Sequence, residues 1–184
     1  MKKFLMIHGY NGISPLFYWI KDELEKMGHD VIMPSLPTRE GCRYEIWAEE
    51  MGKIDLSGEL VVIAHSAGNP FIIKYFSDRD LEIKLYIGLA GCSDKFSTEG
   101  REDLMEMRRT MLPSESELEK FKSGVAKKYC IFSDNDHLFP LEILEKHAEN
   151  IGGVPIMIPN VGHMGGRSGI KELPQVIEIV KENE

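Results

Sequence analysis

Short apolar runs alternate along the chain with stretches in which apolar residues recur every three to four positions. The runs Lys3–Ile7, Asp30–Met33, Leu60–Ala64, Ile83–Ala90, Lys128–Phe132 and Val154–Ile158 have strand length and end at Gly, Pro or polar residues, so they read as strands. The longer amphipathic stretches Pro15–Met27, Arg43–Lys53, Gly68–Ser77, Leu141–Asn150 and Ile170–Lys181 read as helices. The first is bracketed by helix punctuation: Ser14 at the N-cap, Pro15 in the first turn and Gly28 past the end. Pro70 lies near the start of its helix, where a missing N–H does least harm. Strands and helices alternating at this spacing predict an α/β fold. We expect three layers, α/β/α, around a mainly parallel sheet of about six strands.

The rhythm breaks once, over Cys92–Val125, a charged stretch with Met105, Met107 and Met111, cut by Pro113. Two short helices inserted between strands fit it, either as a surface excursion or as a small lid over a site. With 184 residues and no internal repeat, the chain is expected to form one domain, 1–184, with 92–125 as a helical insertion. A formal charge of −8 with no sustained basic run argues against nucleic-acid binding. No apolar run approaches the roughly eighteen residues of a membrane span. Met1-Lys2-Lys3 and the short apolar stretch before Gly9 do not fit a secretory signal. Cys42, Cys92 and Cys130 are odd in number and widely spaced, so they read as reduced packing residues. A cytoplasmic location is the expectation.

In open parallel sheets, function gathers at the carboxyl ends of the strands. Four segments of this chain place polar residues there: His8-Gly9-Tyr10-Asn11-Gly12, His65-Ser66-Ala67-Gly68, Ser133 to Pro140, and Val161-Gly162-His163. Ser66 ends an apolar run, lies between small residues and precedes a helix, which is the layout of a nucleophile elbow. Bulky side chains two positions to either side would strike neighbouring backbone, so Ala64 and Gly68 suit the turn, Ala64 standing where the usual motif has glycine. Serine, then acid, then histidine is the chain order of α/β-hydrolases.

Taken together, His8-Gly9, Phe17-Tyr18-Trp19 through Leu24-Glu25, Glu45-Ile46-Trp47, His65-Ser66-Ala67-Gly68, Asp136 before Pro140, and Gly162-His163 resemble the small serine hydrolases of the RBBP9/YdeN-like group, over nearly the whole length. The resemblance implies a Ser-His-Asp hydrolase on a parallel sheet with little or no cap. Ser66 is then the nucleophile and His163 the base that accepts its proton. The acid is Asp136, because superfamily spacing sets it four residues before the proline that opens the next helix; Asp134 is then a turn residue bonding its own backbone. The backbone N–H groups of Tyr10 and Ala67 are the expected oxyanion hole.

The remaining histidines get plainer readings. His65 is structural and points to the far side of the turn. His8 lies beneath the oxyanion loop and orients it, His137 sits at the rim, and His29 and His147 face solvent. Trp19, Trp47 and Tyr44 read as packing residues, with Trp19 alternatively bordering the pocket. His8, His65, Asp134, Asp136, His137 and His163 could crowd one sheet edge, but no H-E-x-x-H helix or calcium loop is present, so no metal is expected. Gly9-Tyr10-Asn11-Gly12 is not G-x-G-x-x-G, so no nucleotide cofactor is expected either. The expected partner is a small acyl substrate: an ester, thioester or amide cleaved through an acyl-enzyme, with the insert's methionines as an adaptable wall. Acyl transfer to another acceptor, or a binding protein on a disused hydrolase scaffold, are the alternatives.

Overall fold

The computed structural model describes residues 1–79, 81–94 and 104–184. Six strands form one parallel sheet: β1 (Lys3–Ile7), β2 (Asp30–Ile32), β3 (Glu59–His65), β4 (Glu82–Leu89), β5 (Lys127–Phe132) and β6 (Val154–Met157), in the order β2-β1-β3-β4-β5-β6. Ile7 stands opposite Ala64, and Ala64 opposite Gly88, so the carboxyl ends of β1, β3 and β4 finish side by side. Seven helices are described: α1 (Pro15–Lys26), α2 (Tyr44–Met51), α3 (Gly68–Asp78), α4 (Met105–Met111), α5 (Glu115–Gly124), α6 (Leu141–Ile151) and α7 (Pro174–Glu182).

Two cores sandwich the sheet, and the two-residue period of β1 separates them. Phe4 and Met6 pack with Leu16, Phe17, Ile20 and Leu24 of α1 and with Val176 and Ile177 of α7. Leu5 and Ile7 pack on the other face with Trp47 of α2, Phe71 of α3 and Phe121 of α5. A strand buried on both faces is apolar throughout rather than alternating, which is why these runs are continuous in the sequence. α1 closes as its punctuation predicts: Gly28, at φ 85°, lets its own N–H and that of His29 turn back to Glu25 and Leu24. The Ser14 hydroxyl makes no capping bond, although Ser14 occupies the N-cap. α7 begins at Pro174, later than the expected Ile170, because the proline sits at its first position.

The excursion over 92–125 lies partly outside the described residues, at 95–103. Its described helices pack onto α2 and α3. Lys74 donates to the Thr110 carbonyl (3.1 Å), and Thr110 Oγ1 accepts the Tyr44 N–H (3.3 Å). Met107 and Met111 are buried in the core, leaving only Met105 exposed among the three methionines expected to line a wall. A capping box between Ser114 and Glu117 starts α5. The buried Lys128 ammonium closes it, donating to the carbonyls of Lys122 (2.9 Å) and Val125.

His29 and His147 are not solvent-facing. The His29 ring leans on Phe4, with centroids 5.0 Å apart, and bonds Glu184. His147 is only 1% exposed, on the same stripe of α6 as Leu144, Ala148 and Ile151. Trp47 and Tyr44 are buried as expected. So are Cys42, Cys92 and Cys130; burial pushes each thiol up to about 12, so they stay protonated and inert.

Candidate active site

The turn after β3 puts Ser66 in the left-handed region, at φ 51°. For an L-residue that conformation costs roughly 1–2 kcal/mol and persists only where the surroundings enforce it. Here they do. The Ser66 N–H donates to the Leu89 carbonyl (2.9 Å), extending the β3–β4 ladder past its end. Asn69, fully buried in the first turn of α3, donates its side-chain amide to the carbonyls of Ser66 (2.9 Å) and Leu89 (3.1 Å). The Tyr86 hydroxyl donates in turn to Asn69 Oδ1.

Close approach accounts for the small residues. A Cβ on Gly68 would lie 2.5 Å from the Ile7 carbonyl oxygen and 2.9 Å from that of His8. A Cβ on Gly9 would lie 2.9 Å from both Ser66 Cβ and His65 Nδ1. Gly68→Ala is therefore expected to push α3 off the loop after β1, lowering stability by about 1–3 kcal/mol. Gly166→Ala, where nothing lies within 4 Å, should leave the unfolding midpoint where it was. Urea titration of the two variants checks the contrast; equal midpoints would remove the steric argument.

Three of the residues singled out in the sequence meet in one chain of bonds. Ser66 Oγ lies 2.8 Å from His163 Nε2, and His163 Nδ1 lies 2.7 Å from Asp136 Oδ2. The other Asp136 oxygen accepts the backbone N–H groups of Leu138 (2.7 Å) and Phe139 (3.1 Å). The carboxyl is wholly buried. Burial alone would raise its pKa, but the bonds from His163, Leu138 and Phe139 outweigh that and hold it below the usual aspartate value. Phe139 and His137 meet the His163 ring edge to face, at 5.3 and 5.9 Å between centroids, so His137 stands beside that imidazole.

Asp134 is not part of this chain. It bonds across to the loop after β6 as well as within its own turn: Oδ1 accepts the Asn160 N–H at 2.9 Å and lies 3.4 Å from the Ser133 hydroxyl. Its neighbours do the same. Ser133 Oγ accepts the Val161 N–H (3.1 Å), and Asn135 Oδ1 accepts the Gly162 N–H (2.7 Å).

Ala67 is the N-cap of α3, so its N–H stands at the positive end of that helix, directly after Ser66. Tyr10 follows Gly9, which abuts Ser66, and the Tyr10 carbonyl accepts the Arg39 N–H at 3.1 Å. His8 secures this loop from below: Nδ1–H donates to the Gly9 carbonyl (2.7 Å), and Nε2 accepts the Leu36 N–H (3.0 Å). That pair of bonds fixes the neutral tautomer, and burial lowers its pKa.

His65 does not point away from the site. Its Nε2–H donates to the His163 carbonyl at 2.8 Å, and its ring lies 5.1 Å from the His163 ring. Burial first, and the neighbouring His163 second, hold it down to about 3, so it stays neutral. Asn69, Ser133, Asn135 and this role of His65 carry no periodic or motif signal in the sequence. Each is defined by a partner distant along the chain.

Among the described residues, no group of three or more His, Cys, Asp or Glu is arranged to hold a metal ion. None of the described helices is long and apolar enough to cross a membrane.

A parallel sheet whose third strand turns directly into a serine at positive φ, bonded to a histidine from the loop after β6, defines an α/β-hydrolase. The chain belongs to the serine hydrolase family, which it matches over residues 4–182, and it is a hydrolase. Solved structures share the fold. The ydeN gene product of B. subtilis superposes with a TM-score of 0.82 at 20% identity, over 99% of this chain and 98% of its own. A carboxylesterase of the ammonia-oxidizing thaumarchaeon Nitrososphaera gargenis gives 0.74 at 13% identity, over 100% and 92%. Est1E from Butyrivibrio proteoclasticus gives 0.68 at 17% identity, over 98% and 86%. No curated protein sequence matches this one.

Proposed function

We propose that the protein cleaves a small ester, thioester or amide through an acyl-enzyme on Ser66. The observation that carries this reading is the continuous relay from Ser66 Oγ through the His163 imidazole to a buried, ionised Asp136. A serine hydroxyl attacks an acyl carbon only if its proton has somewhere to go, and His163 Nε2 is in line to take it. Asp136 holds the Nδ1–H tautomer and stabilises the imidazolium that forms. The N–H groups of Ala67 and Tyr10 receive the oxyanion of the tetrahedral intermediate. Collapse breaks the bond to the leaving group, which takes its proton from His163, and leaves the acyl group on Ser66 Oγ. Water, deprotonated by His163, then attacks the acyl carbon and regenerates the serine. The chain 1–184 works in this reading as one unit that carries 92–125 as a helical insertion. It acts in the cytoplasm, where three buried thiols stay reduced.

A fluorophosphonate probe tests it. Wild type is expected to form a covalent adduct at Ser66, located by peptide mass spectrometry. Asp136→Asn is expected to hydrolyse a short-chain nitrophenyl ester roughly 10⁴-fold more slowly, because the imidazole loses its correct tautomer. An unreactive wild type would leave only a binding role on a hydrolase scaffold. Ester exchange onto an added alcohol in preference to water would make the enzyme an acyltransferase.

A further inference from the structure

The bond from Asp136 fixes the orientation of the His163 ring but not where the residue as a whole sits. Position is a property of the main chain, and here the main chain is intrinsically loose. Gly162 and Met164 both lie at positive φ (59° and 56°), and Gly165 and Gly166 follow. Ordering such a segment is entropically costly and needs specific bonds.

Two side chains supply those bonds on either side of the base. Before it, Asn135 Oδ1 accepts the Gly162 N–H at 2.7 Å and also the Ser133 O–H at 2.8 Å. Two donors on one atom require that atom to be the carbonyl oxygen, which fixes the Asn135 amide in one orientation. After it, the His65 Nε2–H donates to the carbonyl of His163 itself at 2.8 Å. His65 is buried and wedged between two loops: its Nδ1 faces Gly9 of the loop after β1, and its Cε1 faces Gly165. Neither residue touches the Ser66 hydroxyl.

We propose that Asn135 and His65 are positioning residues that hold His163 from both flanks within reach of Ser66. The inference rests on the Ser66–His163–Asp136 reading. A misplacement of about 1 Å at a reacting group can cost on the order of a hundredfold in rate, so the clamp acts on kcat rather than on substrate affinity. Asn135 is the cleaner target because its side chain is exposed, and its loss leaves no cavity.

The test measures kcat and KM on a short-chain nitrophenyl ester, the rate of fluorophosphonate labelling, and the urea midpoint. Asn135→Ala is expected to lower kcat and the labelling rate about tenfold to a hundredfold, with KM within about twofold. Asn135→Asp keeps an acceptor oxygen in the same place and is expected to recover most of the loss. His65→Ala should behave like Asn135→Ala, and His65→Gln, whose amide can donate to the same carbonyl, should be partly rescued. If His65→Ala does not fold, the Asn135 pair decides alone. Wild-type kcat in Asn135→Ala, or an equal loss in Asn135→Asp, overturns the proposal. So does a loss that only follows a lowered urea midpoint. A wild type that the probe does not label at Ser66 overturns the catalytic reading itself, a result distinct from these.

Discussion

Replacing Ser66 with glycine is expected to abolish turnover and at the same time make the protein more stable. Ser66 sits at φ 51°, a conformation that glycine adopts without strain and that an L-residue resists by roughly 1–2 kcal/mol. Part of the gain is offset by the greater freedom of glycine in the unfolded chain and by the lost bond to His163. A net rise of up to about 1 kcal/mol remains. Ser66→Ala removes the hydroxyl but keeps the Cβ, so it should lose activity with no such gain. Both variants should fall in kcat by roughly 10⁴-fold to 10⁶-fold. Turnover on a short-chain ester and thermal midpoints measured side by side decide it. Equal midpoints for the two variants would remove the claim of strain, and a kcat within about a hundredfold of wild type in either would remove Ser66 from the chemistry.

The second large effect is loss of stability in mild acid. Burial holds His147 at about 4 and His65 at about 3, against an ordinary value of 6.5. Below pH 6.5 the unfolded chain therefore binds protons that the folded chain does not. Stability then falls as pH drops, and goes on falling until the folded values are reached. Each such group contributes about 1.4 kcal/mol per pH unit, so His147 alone accounts for about 3 kcal/mol by pH 4. At still lower pH, Asp136 adds to the decline. Its folded pKa lies below the usual aspartate value, so the stability it lends is lost as it is protonated. Among the described residues, neither ring nitrogen of His147 has a hydrogen-bond partner. His147→Leu is expected to raise stability at pH 7 by about 1–2 kcal/mol and to flatten the acid limb by about one proton. Urea titrations at pH 7, 5.5 and 4.5 give the slopes. A variant as acid-sensitive as wild type would show that His147 is not a buried neutral group.

The architecture was legible because burial on both faces makes the inner strands β1 and β3 apolar runs almost end to end, while the helices show apolar stripes. The turn at Ser66 was legible because Gly68 has no room for a side chain. His147 could have been placed inside from the same spacing: 144, 147, 148 and 151 share one stripe of α6, and only the polarity of histidine argued otherwise. The late start of α7 was likewise written in Pro174. Asn69 and Asn135 belong to another category. The first meets the Tyr86 hydroxyl, and the second caps an N–H at position 162. Such bonds are specified by which loops become neighbours, and no local pattern carries that. Asp134 shows the same limit, since the backbone N–H it accepts belongs to the loop after the last strand.

The order of the strands carries one more consequence, this time for biosynthesis. In the proposed chemistry Ser66 follows the third of the six described strands and sits near the middle of the sheet, whereas His163 follows β6, an edge strand and the last of the six in chain order. A nascent chain halted before that strand would own an acyl acceptor without its proton acceptor. In that chemistry, hydrolysis waits on synthesis of the loop after β6.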